Sequence, residues 1–295
     1  MKKIKSKIKG IDPLLMPVKE VKRLMRNWQR CLPILLGDLF TMETPQGILR
    51  YDTYSLNKSN IKFIKSLNNL YSGDNVKGIS VIMGKKDLKV SKKSNEFNPS
   101  NSIFLPILLV ELKTSYEGNL YYYFPTDPVN KIFNLNESIA KRTKIHNALN
   151  PGDAAQRLSP KVAELFIVNW QSLGDTELIS SFDCLSPDGT IEIKSGNPSD
   201  PDIVFSEQKL LRVKQYNYDE METKAIFDNL NQSKQNKFFI SLGAGLSVAD
   251  YHPFNFRPII RIEQPIPKNR LADDEDLPEY YDTSRPCPPW CKPGE

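Results

Sequence analysis

Apolar residues recur at helical spacing in two well-separated stretches of the chain. In the first stretch they fall three or four positions apart and end at a tryptophan: Val18, Val21, Leu24, Met25 and Trp28. This stripe indicates an amphipathic helix with one buried face. The second stretch begins at Ser159 and Pro160, an N-cap residue followed by proline at the first helical position. Both stretches end in the tripeptide Asn-Trp-Gln, at 27–29 and 169–171.

Further segments repeat in the same order after each of these helices. The corresponding pairs are 48–54 with 210–216, 78–84 with 238–243, and 106–111 with 258–263. Their Val, Ile and Phe content, bounded by Gly and Pro, favours strands. Between the first and second strand of each copy we expect another helix, which buries Ile61, Ile64, Leu67 and Leu70 in copy one and Met221, Ala225 and Leu230 in copy two. The sequence therefore predicts an α+β fold, formed by tandem duplication of a helix-strand-helix-β-hairpin unit.

The repeats divide the chain into five predicted segments. These are a basic arm at 1–13, a first α+β repeat at 14–125, a linker at 126–155, a second α+β repeat at 156–267 and an acidic, proline- and cysteine-containing tail at 268–295. The tail offers little apolar surface to bury, so we predict that it is disordered.

Composition and charge narrow the functional classes. The 40 Lys and Arg residues against 35 Asp and Glu give a net charge of +5, too small a surplus to predict a nucleic-acid partner for the whole protein. No apolar run is long enough to span a membrane, and the basic start lacks the apolar core of a signal peptide. Since the four cysteines form no evident disulfide framework, we expect a cytoplasmic location.

The sharpest candidate for chemistry is a motif that has the look of the PD-(D/E)xK nuclease hairpin. If the residues 186–189 form a turn, Asp183 and Glu192 face each other and Lys194 lies on the same face. A carboxylate pair could hold Mg²⁺ against a phosphate, with the lysine near the scissile bond. Exposed acidic and basic residues that alternate on one strand face are equally typical of a solvated hairpin. We therefore assign no catalytic residue, metal or cofactor, and keep Asp183, Glu192 and Lys194 with Mg²⁺ as the alternative.

The segment 287–291, Cys-Pro-Pro-Trp-Cys, is the second candidate site. Its two cysteines cannot complete a tetrahedral zinc site, although they could form a small disulfide or bind a soft metal. Prolines stiffen the backbone beside an aromatic side chain, which is typical of a polyproline-like docking peptide. Cys287, Trp290 and Cys291 are therefore the predicted partner-binding residues, with a plain disordered end as the alternative.

Taken together, the Asn-Trp helix, the strand 78–84, the partner strand 107–112 and the Cys-Pro-Pro-Trp-Cys tail resemble a family of small uncharacterised proteins from Bacteroidota. Those proteins look like single copies of the unit. The resemblance covers most of 14–125 and, more weakly, 158–267. Copy two departs from the pattern with Gly-Ala-Gly where copy one has Met-Gly. The resemblance implies no activity.

We predict a non-catalytic protein-binding or assembly protein rather than an enzyme. Its expected partner is another protein or a second copy of the chain, because the sequence contains a repeated unit and ends of opposite charge but no complete catalytic set. The alternatives are the Mg²⁺-dependent nuclease described above and a structural subunit of a larger particle. We also predict that Trp28 and Trp170 take equivalent buried positions against the strands 79–83 and 239–242.

Overall fold

The computed structural model has an α+β fold. It describes residues 13–44, 47–70, 76–88, 102–114, 118–129, 158, 160–194, 204–232, 237–246, 254–263, 279–281 and 285–287. We refer to the described residues up to 129 as the first half and to those from 158 onward as the second half.

The described residues contain the four predicted helices and one further helix. They are α1 (Val18–Gln29), α2 (Lys58–Leu70), α3 (Pro160–Ser172), α4 (Asp175–Ser181) and α5 (Glu220–Gln232), of which α4 was not predicted. Two short 3₁₀ turns, Pro33–Leu35 and Gly37–Phe40, follow α1. The predicted stripe of α1 is buried at Val21, Leu24 and Trp28, whereas Val18 is 45% exposed. No helix among the described residues has the length and apolar character needed to cross a membrane.

The strands form two large and two small antiparallel sheets. The first half contributes β1 (Thr41–Thr44), β2 (Gly47–Arg50), β3 (Thr53–Ser55), β4 (Val76–Asp87), β5 (Ser102–Thr114), β6 (Gly118–Pro125) and β7 (Asp127–Pro128). The second half contributes β8 (Asp183–Lys194), β9 (Val204–Arg212), β10 (Gln215–Asn217), β11 (Lys237–Leu246), β12 (Phe254–Glu263), β13 (Glu279–Tyr281) and β14 (Arg285–Cys287). β1 pairs with β2, and β8 pairs with β9.

Each large sheet contains strands from both halves. One has the order β14-β10-β4-β5-β6 and the other has the order β13-β12-β11-β3-β7. β3 belongs to the first half but pairs with β11 of the second half, with Tyr54 opposite Ile240. Conversely, β10 belongs to the second half but pairs with β4 of the first half, with Tyr216 opposite Val81. Each half therefore contributes two short strands to the other half's sheet: β3 and β7 in one direction, β10 and β14 in the other.

Backbone hydrogen bonds formed by the residues next to β3 and β10 also connect the two halves. Met83 N–H donates to the Lys214 carbonyl at 2.8 Å, and Leu242 N–H donates to the Asp52 carbonyl at 2.6 Å. At the other end, Tyr218 N–H donates to the Ile79 carbonyl and Leu56 N–H to the Phe238 carbonyl, both at 3.0 Å. Buried backbone groups require such partners, so neither central strand is completed within its own half.

The core also crosses the boundary between the halves. One cluster packs Ile64, Val81 and Phe124 of the first half with Ile226 and Ile260 of the second. The predicted repeats at 14–125 and 156–267 are thus not two separately folded bodies, because their apolar faces are buried against each other.

Two local predictions are wrong. Each predicted strand 48–54 and 210–216 is broken into two, since β2 and β9 end before β3 and β10 begin. Met221 is 61% exposed rather than buried, whereas Leu230 is buried as predicted, together with Ile226 and Phe227. Residues 127 and 128, at the start of the predicted linker, form β7 and pair with β3.

The prediction of a disordered tail fails for two short segments. β13 pairs with β12 and places Tyr280 and Tyr281 in the core, with 4% and 1% exposure. β14 pairs with β10. Two adjacent tyrosines supply the apolar area that the tail's composition as a whole lacks. The other residues of 268–295 lie outside the described part of the chain, as does most of the basic arm at 1–13.

Candidate functional site at the junction of the two halves

Aromatic rings from both halves meet where α1 and α3 end. Phe40 and Phe182 stack with a centroid distance of 5.6 Å and an interplanar angle of 6°. Trp28 meets Phe182 edge-on at 5.0 Å, and Trp170 meets Phe40 edge-on at 4.9 Å. Both tryptophans are fully buried, as predicted. Stacked and edge-on pairs are favourable arrangements of aromatic rings, so this cluster joins the halves through contacts of both kinds.

The two indole groups donate hydrogen bonds across the boundary. Trp28 Nε1 donates to the Val213 carbonyl at 2.8 Å, and Trp170 Nε1 donates to the Tyr51 carbonyl at 3.3 Å. Tyr51 lies between β2 and β3, and Val213 lies between β9 and β10, so each acceptor immediately precedes a strand that pairs with the other half. Each tryptophan therefore fixes the course of the other half's exchanged strand.

Two arginines cover the carboxyl ends of the opposite helices. Arg50 Nη1 donates to the carbonyls of Trp170, Gln171 and Leu173, at 3.3, 3.4 and 3.0 Å. Arg212 Nη1 donates to the carbonyls of Trp28 and Cys31. The last carbonyls of a helix have no partner within the helix, and a cation is favourable there. Burial lowers the pKa of the Arg50 guanidinium, and nearby Asp175 acts in the opposite direction.

A buried carboxylate at the junction was not predicted from the sequence. Asp52 is 1% exposed, and Gln171 Nε2 donates to its Oδ2 at 2.6 Å. Asn169, from the same tripeptide as Gln171, donates to the Ala244 carbonyl at 3.2 Å. The recurrence of Asn-Trp-Gln was the only signal in the sequence. It did not reveal that the polar side chains of the second copy are buried.

A small pocket opens beside this junction. Its volume is about 190 Å³, and its lining is Pro33, Ile34, Gly37, Asp38, Thr41, Arg50, Asp175 and Ile179. Ligand pockets commonly enclose about 300 to 1,000 Å³. The pocket is therefore too small to enclose a substrate of drug-like size.

Three exposed aliphatic side chains lie in the segment that borders the pocket, and one of them, Ile34, lines it. Leu32 is 61% exposed, Ile34 82% and Leu35 41%. We call these three residues the Ile34 ridge. The 3₁₀ turn Pro33–Leu35 holds the ridge outward, while the neighbouring Leu36 is fully buried. Large aliphatic side chains grouped on a surface are typical of contact sites for other molecules.

The hairpin expected for the nuclease alternative is not the pairing that the structure has. β8 pairs with β9 at 183–185 and at 190–194, and the register shifts between Leu185 and Thr190. Asp183 lies opposite Arg212, and Glu192 lies opposite Ser206 rather than opposite Asp183. Arg212 and Ser206 are six positions apart on β9, which corresponds to about 20 Å. Glu192 and Lys194 remain two residues apart on the strand.

Cys31 is the cysteine whose side chain the structure describes, and it is buried. Burial raises the pKa of the free Cys31 thiol, which disfavours the nucleophilic thiolate. Cys287 lies in β14, opposite Gln215. Trp290 and Cys291 lie outside the described residues. Within the described part of the chain, no three or more His, Cys, Asp or Glu side chains come together as a metal site would need.

Comparison with known proteins adds no relative. No family model, no curated protein and no solved structure matches this chain. The resemblance to the Bacteroidota family therefore stays a prediction.

Proposed function

We propose that the chain is a non-catalytic protein-binding or assembly protein built from two copies of one α+β unit. The proposal has two parts, the duplicated scaffold and the surface that binds. We place the protein in the cytoplasm, with another protein or a second copy as its partner.

Equivalent contacts made by residues at constant sequence offsets support the duplicated scaffold. Trp28 and Phe40 correspond to Trp170 and Phe182 at an offset of 142. The short exchanged strands correspond at an offset of 162, the central strands at 159 and their hairpin partners at 152. Adding the appropriate offset to each first-half residue of a junction contact gives the second-half residue that has the same role. This holds for the edge-on rings, the indole hydrogen bonds, the arginine caps and the strand exchange.

Two glycines extend the correspondence to the packing of the helices. A Cβ at Gly84 would lie 3.4 Å from Leu24 Cβ of α1, and one at Gly243 would lie 3.1 Å from Phe166 Cβ of α3. Leu24 and Phe166 are themselves 142 residues apart. In both halves, glycine in the central strand allows the first helix to approach the sheet closely. A generic α+β pair would not repeat this detail.

The exposure of the Ile34 ridge is the observation that supports binding of a partner. At the offset of 142 its residues correspond to Gly174, Thr176 and Glu177 of the second half. The same fold therefore accommodates polar residues at these positions, and the scaffold does not require aliphatic ones. Exposed aliphatic groups gain free energy when a partner covers them, at roughly 25 cal/mol per Å² of buried apolar area.

A charge placed on the ridge tests the proposal. We expect Ile34→Asp to leave the melting temperature unchanged, because the side chain is 82% exposed, and to abolish capture of a binding partner or self-association. Thr176→Asp, at the corresponding position of the second half, is the matched control and should keep both. Quantitative pull-down and size-exclusion chromatography measure the two outcomes. Equal binding by wild type and Ile34→Asp would rule out the ridge.

No structural observation favours the nuclease over this proposal. We expect no cleavage of DNA or RNA with Mg²⁺ or Mn²⁺. Cleavage that disappears in Asp183→Ala or Glu192→Ala would restore the nuclease hypothesis. A structural subunit of a larger particle would instead reveal itself as a high-mass assembly that depends on the ridge.

A further inference from the structure

Positive charge is concentrated on the outer face of α1. Exposed cations occur at Lys19, Lys22, Arg23, Arg26 and Arg30. A helix turns 100° per residue, so these five positions fall on one face, opposite the buried Val21, Leu24 and Trp28. We call the five cations the cationic stripe. Glu20 is the only acid in the helix, and it pairs with Arg23 at 2.7 Å.

The concentration is not a property of the chain as a whole. The first 30 residues carry ten Lys and Arg against two Asp and Glu, while the other 265 carry 30 against 33. The scaffold does not require it either, because α3 has Glu164, Leu165 and Val168 at the positions of Lys22, Arg23 and Arg26. Leu165 is 5% exposed, so the corresponding face of α3 is partly covered by the fold.

The Ile34 ridge begins two residues after the last cation of the stripe. Consecutive Cα atoms lie 3.8 Å apart, so Arg30 and Leu32 are close neighbours on the surface. Of the seven large apolar residues that are exposed in the described chain, five lie between Leu14 and Leu35. A cationic stripe and an aliphatic ridge are thus consecutive parts of one region.

We propose that this region binds an acidic protein surface, whose carboxylates face the cationic stripe and whose apolar side chains contact the Ile34 ridge. This inference rests on the proposed binding function and names the chemistry of the partner. Complementary charge on the rim of an interface fixes orientation and raises the association rate, while the apolar contact supplies most of the affinity.

The residues around the ridge favour a protein over the other anionic partners. Asp38 and Asp175 line the same pocket as Ile34, so an anionic lipid surface that covered the ridge would meet two carboxylates. Nucleic acids are held by cations together with aromatic or hydrogen-bonding side chains, whereas the ridge is aliphatic.

Selection from a random peptide library displayed on phage, with the full-length protein as bait, tests the proposal. We expect the selected peptides to combine Asp or Glu with Leu, Ile or Val, and their affinity to fall with added salt. The charge reversal Lys22→Glu, Arg26→Glu and Arg30→Glu should weaken their binding about tenfold. The matched control reverses three exposed lysines on other helices, Lys58→Glu, Lys62→Glu and Lys224→Glu, and should bind as wild type does.

The outcomes separate this inference from the proposed function. Peptides that require Ile34 but bind the stripe variant normally would overturn the acidic partner and leave the ridge in place. Peptides that ignore Ile34→Asp would overturn the ridge. Phosphatidylserine vesicles or duplex DNA that bind more tightly than every selected peptide, and depend on the stripe, would assign the region to a membrane or a nucleic acid. If the charge reversal lowers the melting temperature, the corresponding triple alanine variant replaces it, with the same expected direction.

Discussion

The segments that follow α1 and α3 occupy corresponding positions in the two halves but carry different surfaces. Leu36 and Phe40 are buried in the first half, as are Leu178 and Phe182 in the second. The exposed positions just before Leu36 include the aliphatic Leu32, Ile34 and Leu35, whereas those before Leu178 are Gly174, Asp175 and Thr176. Buried residues are constrained by packing, whereas exposed ones are free to differ unless a function selects them. The comparison therefore directs attention to the surface of the first half.

The two Asn-Trp-Gln tripeptides also share a buried residue and differ at the positions beside it. Trp28 and Trp170 have equivalent buried positions. Asn169 and Gln171 are buried: Gln171 donates across the junction to Asp52, and Asn169 donates to Ala244 within its own half. Gln29 is instead exposed, and Asn27 bonds to Asp87 at 3.3 Å. An identical tripeptide thus has one structural role in common and two that differ.

The largest expected effect comes from removing the last strands of the second half. Deleting 279–295 removes β13 and β14, and with them the buried rings of Tyr280 and Tyr281. Losing two buried aromatic side chains should lower the free energy of unfolding by more than about 5 kcal/mol, enough to unfold a domain of ordinary stability. Urea denaturation followed by circular dichroism measures this. A deletion of 288–295 is the control, and an unchanged midpoint for the longer deletion would show that the tail contributes nothing.

The two tryptophans provide the most direct test of equivalence. Trp28→Ala and Trp170→Ala should each cost about 3 to 5 kcal/mol, because each leaves a cavity and removes an indole hydrogen bond. Both variants should lose stability by similar amounts in urea titrations. If one variant is near wild type while the other unfolds, the rings do not have equivalent roles.

The sequence was sufficient for the elements that depend on local pattern. The stripe of α1, the buried strands and the position of both tryptophans follow from periodicity and side-chain size. Repeats at separate offsets also predicted two similar units. Local patterns contain this information because each element must bury its own apolar face.

Strand exchange could not be predicted in the same way. Tyr54 and Tyr216 have the alternation of a strand wherever they pair, so sequence alone does not say which half supplies the partner. The exposed Ile34 ridge was missed for a related reason. A short aliphatic run has the same composition whether it is buried or exposed, and in the structure Leu36 is buried while Leu32, Ile34 and Leu35 are exposed.

The glycine pair should show a smaller and unequal effect. A Cβ at Gly84 would lie 2.8 Å from the Leu105 carbonyl oxygen, a backbone atom of the paired strand. At Gly243 the 2.8 Å contact is with Ile259 Cδ1, the end of a flexible side chain. We expect Gly84→Ala to cost about 1 to 3 kcal/mol and Gly243→Ala less. Thermal denaturation of both variants shows which one loses more stability. A larger loss for Gly243→Ala would contradict the expectation that the Leu105 backbone moves less easily than the Ile259 side chain.

The smallest effect is expected at the exchanged strand of the first half, where the Tyr54 hydroxyl is buried with no hydrogen-bond partner in the described structure. Tyr54→Phe removes an unsatisfied polar group, so its free energy of unfolding at pH 7 should equal that of wild type or exceed it by up to about 1 kcal/mol. Burial raises the pKa of the Tyr54 hydroxyl well above its usual value.

Since an unfolded tyrosine titrates near pH 10, the folded state keeps its proton above that pH while the unfolded state loses it. The stability that depends on neutral Tyr54 is therefore complete below about pH 10 and falls as the pH rises further. In urea titrations between pH 8 and about pH 11, Tyr54→Phe should lose stability less steeply than wild type. Tyr121→Phe, at an exposed tyrosine, should follow the wild-type curve. Identical slopes for Tyr54→Phe and wild type would show that the Tyr54 hydroxyl is hydrated rather than buried.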